Sequence, residues 1–458
     1  MQKPRLDETK KKTIILILAG MLLLLTYLCQ QLTDQQDTLT LLRQGEPAAT
    51  RYKEVEGAYK TYALYDKEDN LLSYGVIAGA SGYGGPLTML TVISSKGTIV
   101  KAVLLDHSET PLYLKKVLAA GYPEVLEGKA VTDFLTANED VDMVSGATLT
   151  TKGILLAVEK GMFQVGKNQL GLTVPQLKTL YFQWQDGLVG IVLLFSIFGA
   201  WRNLKKLRPW ILVAAALGLG FVANTSLTIG NYTSIIALKL PNFLERPIWY
   251  VVVIGVLLVS FLWGRNFYCS WLCPFGAVQE GTYKALNLAN YQPNPKLISF
   301  ARKSRWFFLW LAVMLAFLYN NPGIASYEPF GVFFKGEGNT SQWIIMLLVL
   351  LFSIFILRFW CRCFCPMGAF LDFVASCKRK GRKLIGRRIG SVATAVAQDV
   401  ENCSTENCSP KDCPTTNSST KDQPMKGIGL SSGDKMVLVG ILLIDFLILG
   451  ALLQNIMQ

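Results

Sequence analysis

The segments CSWLCPFGA (269–277) and CRCFCPMGA (361–369) agree at five of nine positions: two cysteines with three residues between them, then Pro, one variable residue, Gly and Ala. Each follows an apolar run, at 248–263 and 343–357. Similar runs lie at 13–29, 187–201, 209–224, 306–319 and 437–453. Each is near the shortest helix that crosses a ~30 Å hydrocarbon core. Trp184, Trp201, Trp210, Trp249, Trp263, Trp306 and Trp343 stand at run ends, where amphipathic rings settle at a membrane–water interface. The 458 residues are 51% hydrophobic and only 17% charged, too apolar for an ordinary soluble protein. The expected fold class is an α-helical polytopic membrane protein with about seven transmembrane helices, or six if one run is interfacial, joined to a separate α+β domain.

The net charge of +13 is unevenly placed. Basic residues crowd KPRLDETKKK (3–12), RNLKKLR (202–208), the 265–305 segment and KRKGRKLIGRR (378–388), whereas the loops at 225–247 and 320–342 hold only Lys239, Arg246 and Lys335. Positive residues mark cytoplasmic loops. This puts the N-terminus inside, residues 33–180 outside, both Cys-Pro motifs inside and the C-terminus outside. The localisation implied is the cytoplasmic membrane, multi-pass. The 378–388 run is then explained by membrane lipid, without nucleic acid as a partner. No small-x-small cleavage site follows the first run, and Leu28 before Cys29 does not suit a lipoprotein signal, so that run reads as an uncleaved anchor. Five segments follow: 1–32, tail and anchor; 33–180, extracytoplasmic domain; 181–377, a five-helix bundle carrying both motifs; 378–434, a basic and Cys/Ser/Thr-rich cytoplasmic stretch expected to be disordered; and 435–458, a last span.

Ten cysteines are present, and nine fall on the predicted cytoplasmic side, the opposite of a disulfide pattern. Clustered reduced thiols favour metal or cluster ligation. His107 is the only histidine and lies outside, which excludes a bis-His haem in the bundle and a Cys/His zinc site near the thiols. Cysteines at i and i+4 would share one helix face, with the following Pro ending the pairing region. Two such pairs, Cys269 with Cys273 and Cys361 with Cys365, supply four thiolates, the complement of a [2Fe–2S] or [4Fe–4S] cluster. Buried free thiols and a Cys₄ zinc site are the alternatives. Cys363 is a spare ligand or a packing residue. Cys377, Cys403, Cys408 and Cys413 either share a metal ion or are incidental thiols in a polar tail. Asp445, within the last run, is costly in lipid and should face another helix or a cavity.

Residues 45–170 leave the apolar pattern. YKTYALYDKEDNLLSYGVIAGA reads as two strands about a KEDN turn, and LTMLTVISSKGTIVKAVLLDH as two more about SKG. Helices are expected at 112–120 and about 150–165, giving a compact α+β domain. In VDMVSGATLTTKGILLAVEKG (141–161) a glycine turn and hydroxyl residues lead into a helix, either a plainly capped start or one whose N-terminus favours a phosphate. Asp142, Ser145, Gly146, Ala147 and Thr148 match the D-x-x-[ST]-G-A-T motif, and the domain resembles the FMN-binding family. The resemblance implies that a flavin transferase joins FMN to Thr148 through a phosphoester and that Asp142 belongs to the recognition motif. It also implies a close-approach loop at Gly82, Gly84 and Gly85, with His107, Glu109 and Thr110 near the flavin. Leu112 departs from the glycine common after ETP in that family.

An FMN domain, several spans and two Cys-x-x-x-Cys-Pro motifs together resemble the NosR/NirI group, and the short layout is similar to PceC-like members that accompany reductive dehalogenases. The larger members' Cys-x-x-Cys ferredoxin pattern is replaced here by ENCSTENCSPKDCP (401–414). The resemblance implies a membrane electron-transfer flavoprotein, with no independent catalytic motif. Electrons would run from the quinone pool or a cytoplasmic ferredoxin-type donor through an Fe–S cluster and covalent FMN to an extracytoplasmic reductase, a reductive dehalogenase being one such. A ~30 Å barrier is long for one hop, so a quinol or second carrier is expected to bridge it. The alternatives are a redox-sensing regulator of a respiratory operon and a component of an ion-pumping flavoprotein complex.

Overall fold

The KEDN and SKG turns fall where the sequence puts them, and the chain on each side pairs as a hairpin. The computed structural model describes residues 6–33, 38–133, 135, 141–177, 181–286, 291, 293–379 and 432–457. Cys403, Cys408, Cys413 and the basic run beyond 379 lie outside the described residues. After two helices, Leu6–Thr33 (α1) and Thr38–Gly45 (α2), five strands form one antiparallel meander in chain order. They are Arg51–Val55 (β1), Lys60–Tyr65 (β2), Leu71–Ser81 (β3), Pro86–Ser94 (β4) and Ile99–His107 (β5). Helix Pro111–Ala119 (α3) follows, then Thr148–Asn168 (α4), which crosses β3 and β4. Ile154, Val158 and Met162 of α4 are fully buried with Val76, Leu87 and Met89 of the sheet. Each such side chain contributes about 1.5–3 kcal/mol by leaving water.

Each of the seven apolar runs forms helix. The bundle comprises Trp184–Trp201 (α5), Arg208–Ala215 (α6, continued by a π-helical Ala216–Val222), Ile229–Ile236 (α7), Pro247–Trp263 (α8), Phe267–Trp271 (α9), Pro274–Leu286 (α10), Pro295–Leu318 (α11), Phe330–Lys335 (α12), Thr340–Phe355 (α13), Phe359–Cys363 (α14), residues 366–379 (α15) and Ser432–Met457 (α16). Two helices, Trp184–Trp201 and Gly433–Met457, are long and apolar enough to cross a membrane by themselves; Ile17–Gln30, Arg208–Val222, Pro247–Trp263 and Thr340–Phe355 are shorter. Left-handed Gly264 (φ 63°) stops α8, while α13 ends at extended Ile356 and left-handed Arg358 (φ 55°) caps the start of α14.

Two stretches expected as outer loops instead enter the bundle. Residues 321–330 carry almost no exposed surface, and Asn224, Ser226 and Leu227 are buried as well. Irregular backbone at such depth is tolerated only where protein or a cavity satisfies it.

Candidate redox sites

The paired cysteines do not share a helix face. In each repeat a short helix (α9, α14) holds the first cysteine and breaks after it, and the second caps the next helix. Cys273 C=O accepts the first helical bond of α10 from Ala277 N–H at 3.1 Å, and Cys365 C=O does the same in α15 from Ala369 at 3.2 Å. The proline therefore starts a helix at its first position, where a missing N–H costs nothing. The third residue of each new helix, Gly276 or Gly368, donates its N–H to the capping sulfur at 3.3 Å. Gln279 donates to Cys361 Sγ at 3.4 Å. Asn266 accepts from Cys269 N–H at 3.1 Å and so fixes the first turn of α9.

Charged groups frame this cradle with the same two-fold logic. Arg358 donates to the Cys269 carbonyl, and Arg305 to the Cys361 carbonyl at 3.2 Å. Glu280 on α10 binds Arg358 at 3.0 Å, and Asp372 on α15 binds Arg305 at 3.2 Å. Burial, and then the neighbouring cysteines, push the Cys269 and Cys365 thiols well above their ordinary range, while burial pushes Cys273 to about 12. Arg358 pulls the other way on Cys273 and Cys361. Four thiols that perturb one another share one small volume, and bound cations would hold them as thiolates. Among the described residues, no three His, Cys, Asp or Glu side chains converge closely enough to hold a single metal ion. Sulfurs capping two helix N-termini, with N–H donors aimed at them, fit an anionic cluster. Cys363 is fully buried in the apolar core and Cys377 is exposed. Asp445 accepts a hydrogen bond from Ser304 of α11 at 2.5 Å, so it faces a helix.

The second site is the seam between the sheet domain and the bundle. Glu109 is completely buried and accepts from Tyr83 N–H at 2.6 Å and Gly84 N–H at 3.0 Å. Burial pushes this carboxyl up, against those two donors and Arg246. A Cβ on Gly84 would lie 2.7 Å from both Ser108 O and Thr110 N, and one on Gly82 would strike the Glu109 carboxylate. The glycines thus admit their own chain at 108–110. His107 ends β5, half-buried and with Nδ1 unpartnered; burial holds its pKa below the ordinary value, against Asp106.

Thr148 is the first residue of α4, where the opening N–H groups have no helical partner. The preceding Gly146 is left-handed (φ 81°), and a Cβ there would meet Glu337 of the bundle. Ser145 and Asp142 are exposed, and the Asp142 carbonyl accepts from Tyr122 at 2.5 Å. No side chain caps α4, since Ala147 occupies that position. A free helix N-terminus beside a left-handed turn suits a phosphate. Arg246 donates to Gly82 O at 2.6 Å and Tyr83 O at 2.8 Å, and Lys160 bridges Gly79 O to Glu245. Beneath the glycine loop lies a cleft lined by Tyr83, Gly84, Thr110, Arg246, Glu328 and Glu337, with about 100 Å³ enclosed. Beside α4 a cavity of about 630 Å³ is lined by Leu149, Lys152, Glu159, Phe182 and Glu245, and Arg246 borders both. The buried, unpartnered hydroxyls of Ser108, Thr225 and Ser226 and the cavity volume fit a polar aromatic cofactor at this seam.

Residues 82–162 match the FMN-binding domain family, and residues 245–289 and 341–389 match the 4Fe–4S binding domain family. The regulatory protein NosR of Stutzerimonas stutzeri is 26% identical over 36% of this chain and 25% of its own length. Protein NirI of Paracoccus denitrificans is 28% identical over 41% of this chain and 30% of its own. A component of the proton-translocating ferredoxin:NAD(+) oxidoreductase complex of Clostridium ljungdahlii is 25% identical over 34% of this chain and 89% of its own. The chain is similar to NosR/NirI-type proteins and carries regions that match FMN-binding and 4Fe–4S binding domains. It spans about a quarter to a third of the length of those first two relatives. Each half of the 4Fe–4S match contains one Cys-x-x-x-Cys-Pro motif. Sequence reasoning does not reach Gln279, Glu280, Asp372, Arg305 and Arg358 at one site, or Arg246 and Glu328 at the other. The only sequence signal for any of them is a carboxylate seven residues after the second cysteine in both repeats of the chain.

Proposed function

We propose that this chain is a multi-pass membrane conduit that passes electrons from cysteine-ligated iron on the cytoplasmic side to FMN held at the extracytoplasmic seam, and from there to an extracytoplasmic reductase. Cys269, Cys273, Cys361 and Cys365 hold the cluster, Thr148 carries FMN as a phosphoester made by a flavin transferase, and the donor is the quinone pool or a cytoplasmic protein. Residues 33–180 form the outer domain, 181–377 the five-helix bundle, and α1 and α16 the flanking spans. A reductive dehalogenase is one acceptor of the right kind. Support for the membrane reading comes from apolar side chains left bare on α5 and α16, such as Leu194 (67% exposed) and Phe446 (71%).

One observation carries the reading. The two buried segments link the cysteine cradle to the glycine-loop side of the sheet domain. Tyr268, one residue before Cys269, accepts from Leu227 N–H at 3.0 Å, and three residues back Asn224 donates to Tyr83 at 3.4 Å. Tyr327 donates to Phe364 O, beside Cys365, at 3.3 Å, while Asn321 of the same segment donates to Glu109 O at 3.1 Å. Bonded polar groups therefore link the cysteine side of the bundle to the sheet domain. When bound, cluster and flavin supply the one- and two-electron chemistry. The chain orients them, excludes water and sets the charge around each. Thr148→Val should remove covalent FMN from the full-length protein. A fluorescent band surviving denaturation in that variant refutes the assignment. Rapid oxidation of membrane-bound flavin by the reductase's substrate separates a conduit from a redox sensor.

A further inference from the structure

Glu328 closes the second buried segment and is 6% exposed. Its Oε1 accepts from Ile229 N–H at 3.0 Å, while Oε2 has no partner. The Thr225 and Ser226 hydroxyls are likewise buried without partners, and all three residues line the cleft beneath the glycine loop. The cleft leaves roughly 100 Å³ of water-accessible space, room for several waters. Tyr83 and Arg246 face this space from the glycine loop and the start of α8, Tyr113 and Glu337 from its far end, and Tyr327 stands beside Glu328. Arg246 is already engaged by Gly82 O and Tyr83 O, so among the described residues no cation is paired with Glu328. A buried carboxyl with one free oxygen, open to a water-sized cleft, lies between the cysteine side of the bundle and the flavin motif.

We propose that Glu328 is a redox-linked proton-uptake site: electrons arriving at the carrier in the seam draw one proton from cleft water onto Glu328 Oε2, and their departure releases it. The proposal rests on the seam being the flavin site. The balance is simple. The proton forms one O–H bond on the carboxylate, the hydroxide left behind is neutralised by bulk buffer, any proton the carrier takes for itself is common to both proteins and cancels in the comparison, and no further reactant is consumed. Negative charge added in a low-dielectric interior is strongly unfavourable unless compensated nearby. The neutral acid compensates it, and the Thr225 and Ser226 hydroxyls can turn to donate or accept along the water chain. Burial supports this by pushing Glu328 up to about 7, against the Ile229 N–H.

The test uses the full-length, flavin-loaded protein in detergent, with flavin potential titrated from pH 6 to 9. Above pH 7 the unmodified protein should take up one more proton per electron pair than E328Q, whose amide oxygen can still accept from Ile229. Equal proton counts in the two proteins overturn the proposal. Infrared difference spectra of the unmodified protein at pH 8 decide the matter even if E328Q fails to assemble: reduction should raise a protonated-carboxyl carbonyl band, and its absence overturns the proposal. Equal proton counts with flavin attached to both proteins sink this inference alone, whereas an unmodified chain without attached flavin sinks the seam reading as well.

Discussion

Replacing Glu280 by Gln should destabilise the bundle and do so in a pH-dependent way. Glu280 is buried and receives Arg208 through both oxygens at 2.9 Å, Arg358 at 3.0 Å and Lys284 at 2.7 Å. Burial alone would raise its pKa, but Arg208, Lys284 and Arg358 outweigh it and hold the carboxyl at about 2, against an ordinary 4.5. That difference corresponds to about 3 kcal/mol at neutral pH. Lys284 is more than half exposed, so solvent screens its share and about 2–3 kcal/mol is the working figure. Gln offers one acceptor oxygen to three cations and leaves Arg358 unpaired beside the Cys269 carbonyl. Scaled to a domain of this size, the melting temperature of detergent-solubilised full-length protein should fall by roughly 4–12 °C at pH 7. The folded pKa is depressed, so the stabilisation is present above the unfolded value of 4.5 and is lost as pH falls toward 2. By pH 3.5 the gap between wild type and E280Q should narrow by about 1.4 kcal/mol. A gap that is absent at pH 7, or that widens on acidification, would show that Glu280 is not the anchor of this charge network.

Two glycine substitutions separate packing from cofactor space. Gly84→Ala drives a Cβ to 2.7 Å from backbone on two sides, so thermal unfolding should show a loss of about 1–3 kcal/mol; an unshifted melting curve would mean the 108–110 segment yields easily. Gly276→Ala meets only ordinary contacts, 3.5 Å from Cys273 Sγ and 3.8 Å from Arg358, and in a helix alanine gains up to ~1 kcal/mol over glycine. Stability should hold or rise while iron per chain falls, because the new methyl projects into the thiol cradle; full iron with unchanged stability would show that the cradle has room to spare.

The sheet domain is legible where alternation and turn chemistry coincide. KEDN and SKG both mark hairpins, and α4 begins within two residues of its expected start. β1 is not legible. Its residues 51–54 are all exposed and only Val55 is half-buried, so no apolar alternation marks this edge strand. The buried segments are hidden for a different reason. Asn224, Thr225 and Ser226, and then Asn320, Asn321, Pro322 and Gly323, have the composition of surface turns. Only tertiary contacts, such as the approach of Gly323 to the Glu109 carbonyl, reveal that they are interior. The cysteine pairs stand out by their repetition, yet spacing alone misleads about their local geometry. A separation of four suits one helical face and a proline suits a helix end, whereas here the helix breaks between the cysteines and the proline opens the next one.

The cross-connections between repeats bear on why the motif occurs twice. Asn266 of the first repeat bonds Asp372 of the second at 3.1 Å, and Arg358 of the second bonds Glu280 of the first at 3.0 Å. Gln279 of the first reaches the Cys361 sulfur of the second, and its other end accepts from Trp360 N–H at 3.0 Å. Each half is thus completed by side chains of the other, and neither could present its two sulfurs correctly alone. The electrostatics are mixed: both capping sulfurs sit at helix N-termini and Arg305 and Arg358 stand behind the first cysteines, while Asp372 acts against them at Cys269. The helix N-termini and guanidinium groups would favour added negative charge on a cluster held there. The polar contacts lead from this side to the seam, where Glu328 has one oxygen without a partner. On the proposed function, the duplicated motif would be the electron-accepting end of a route whose other end can balance charge with a proton.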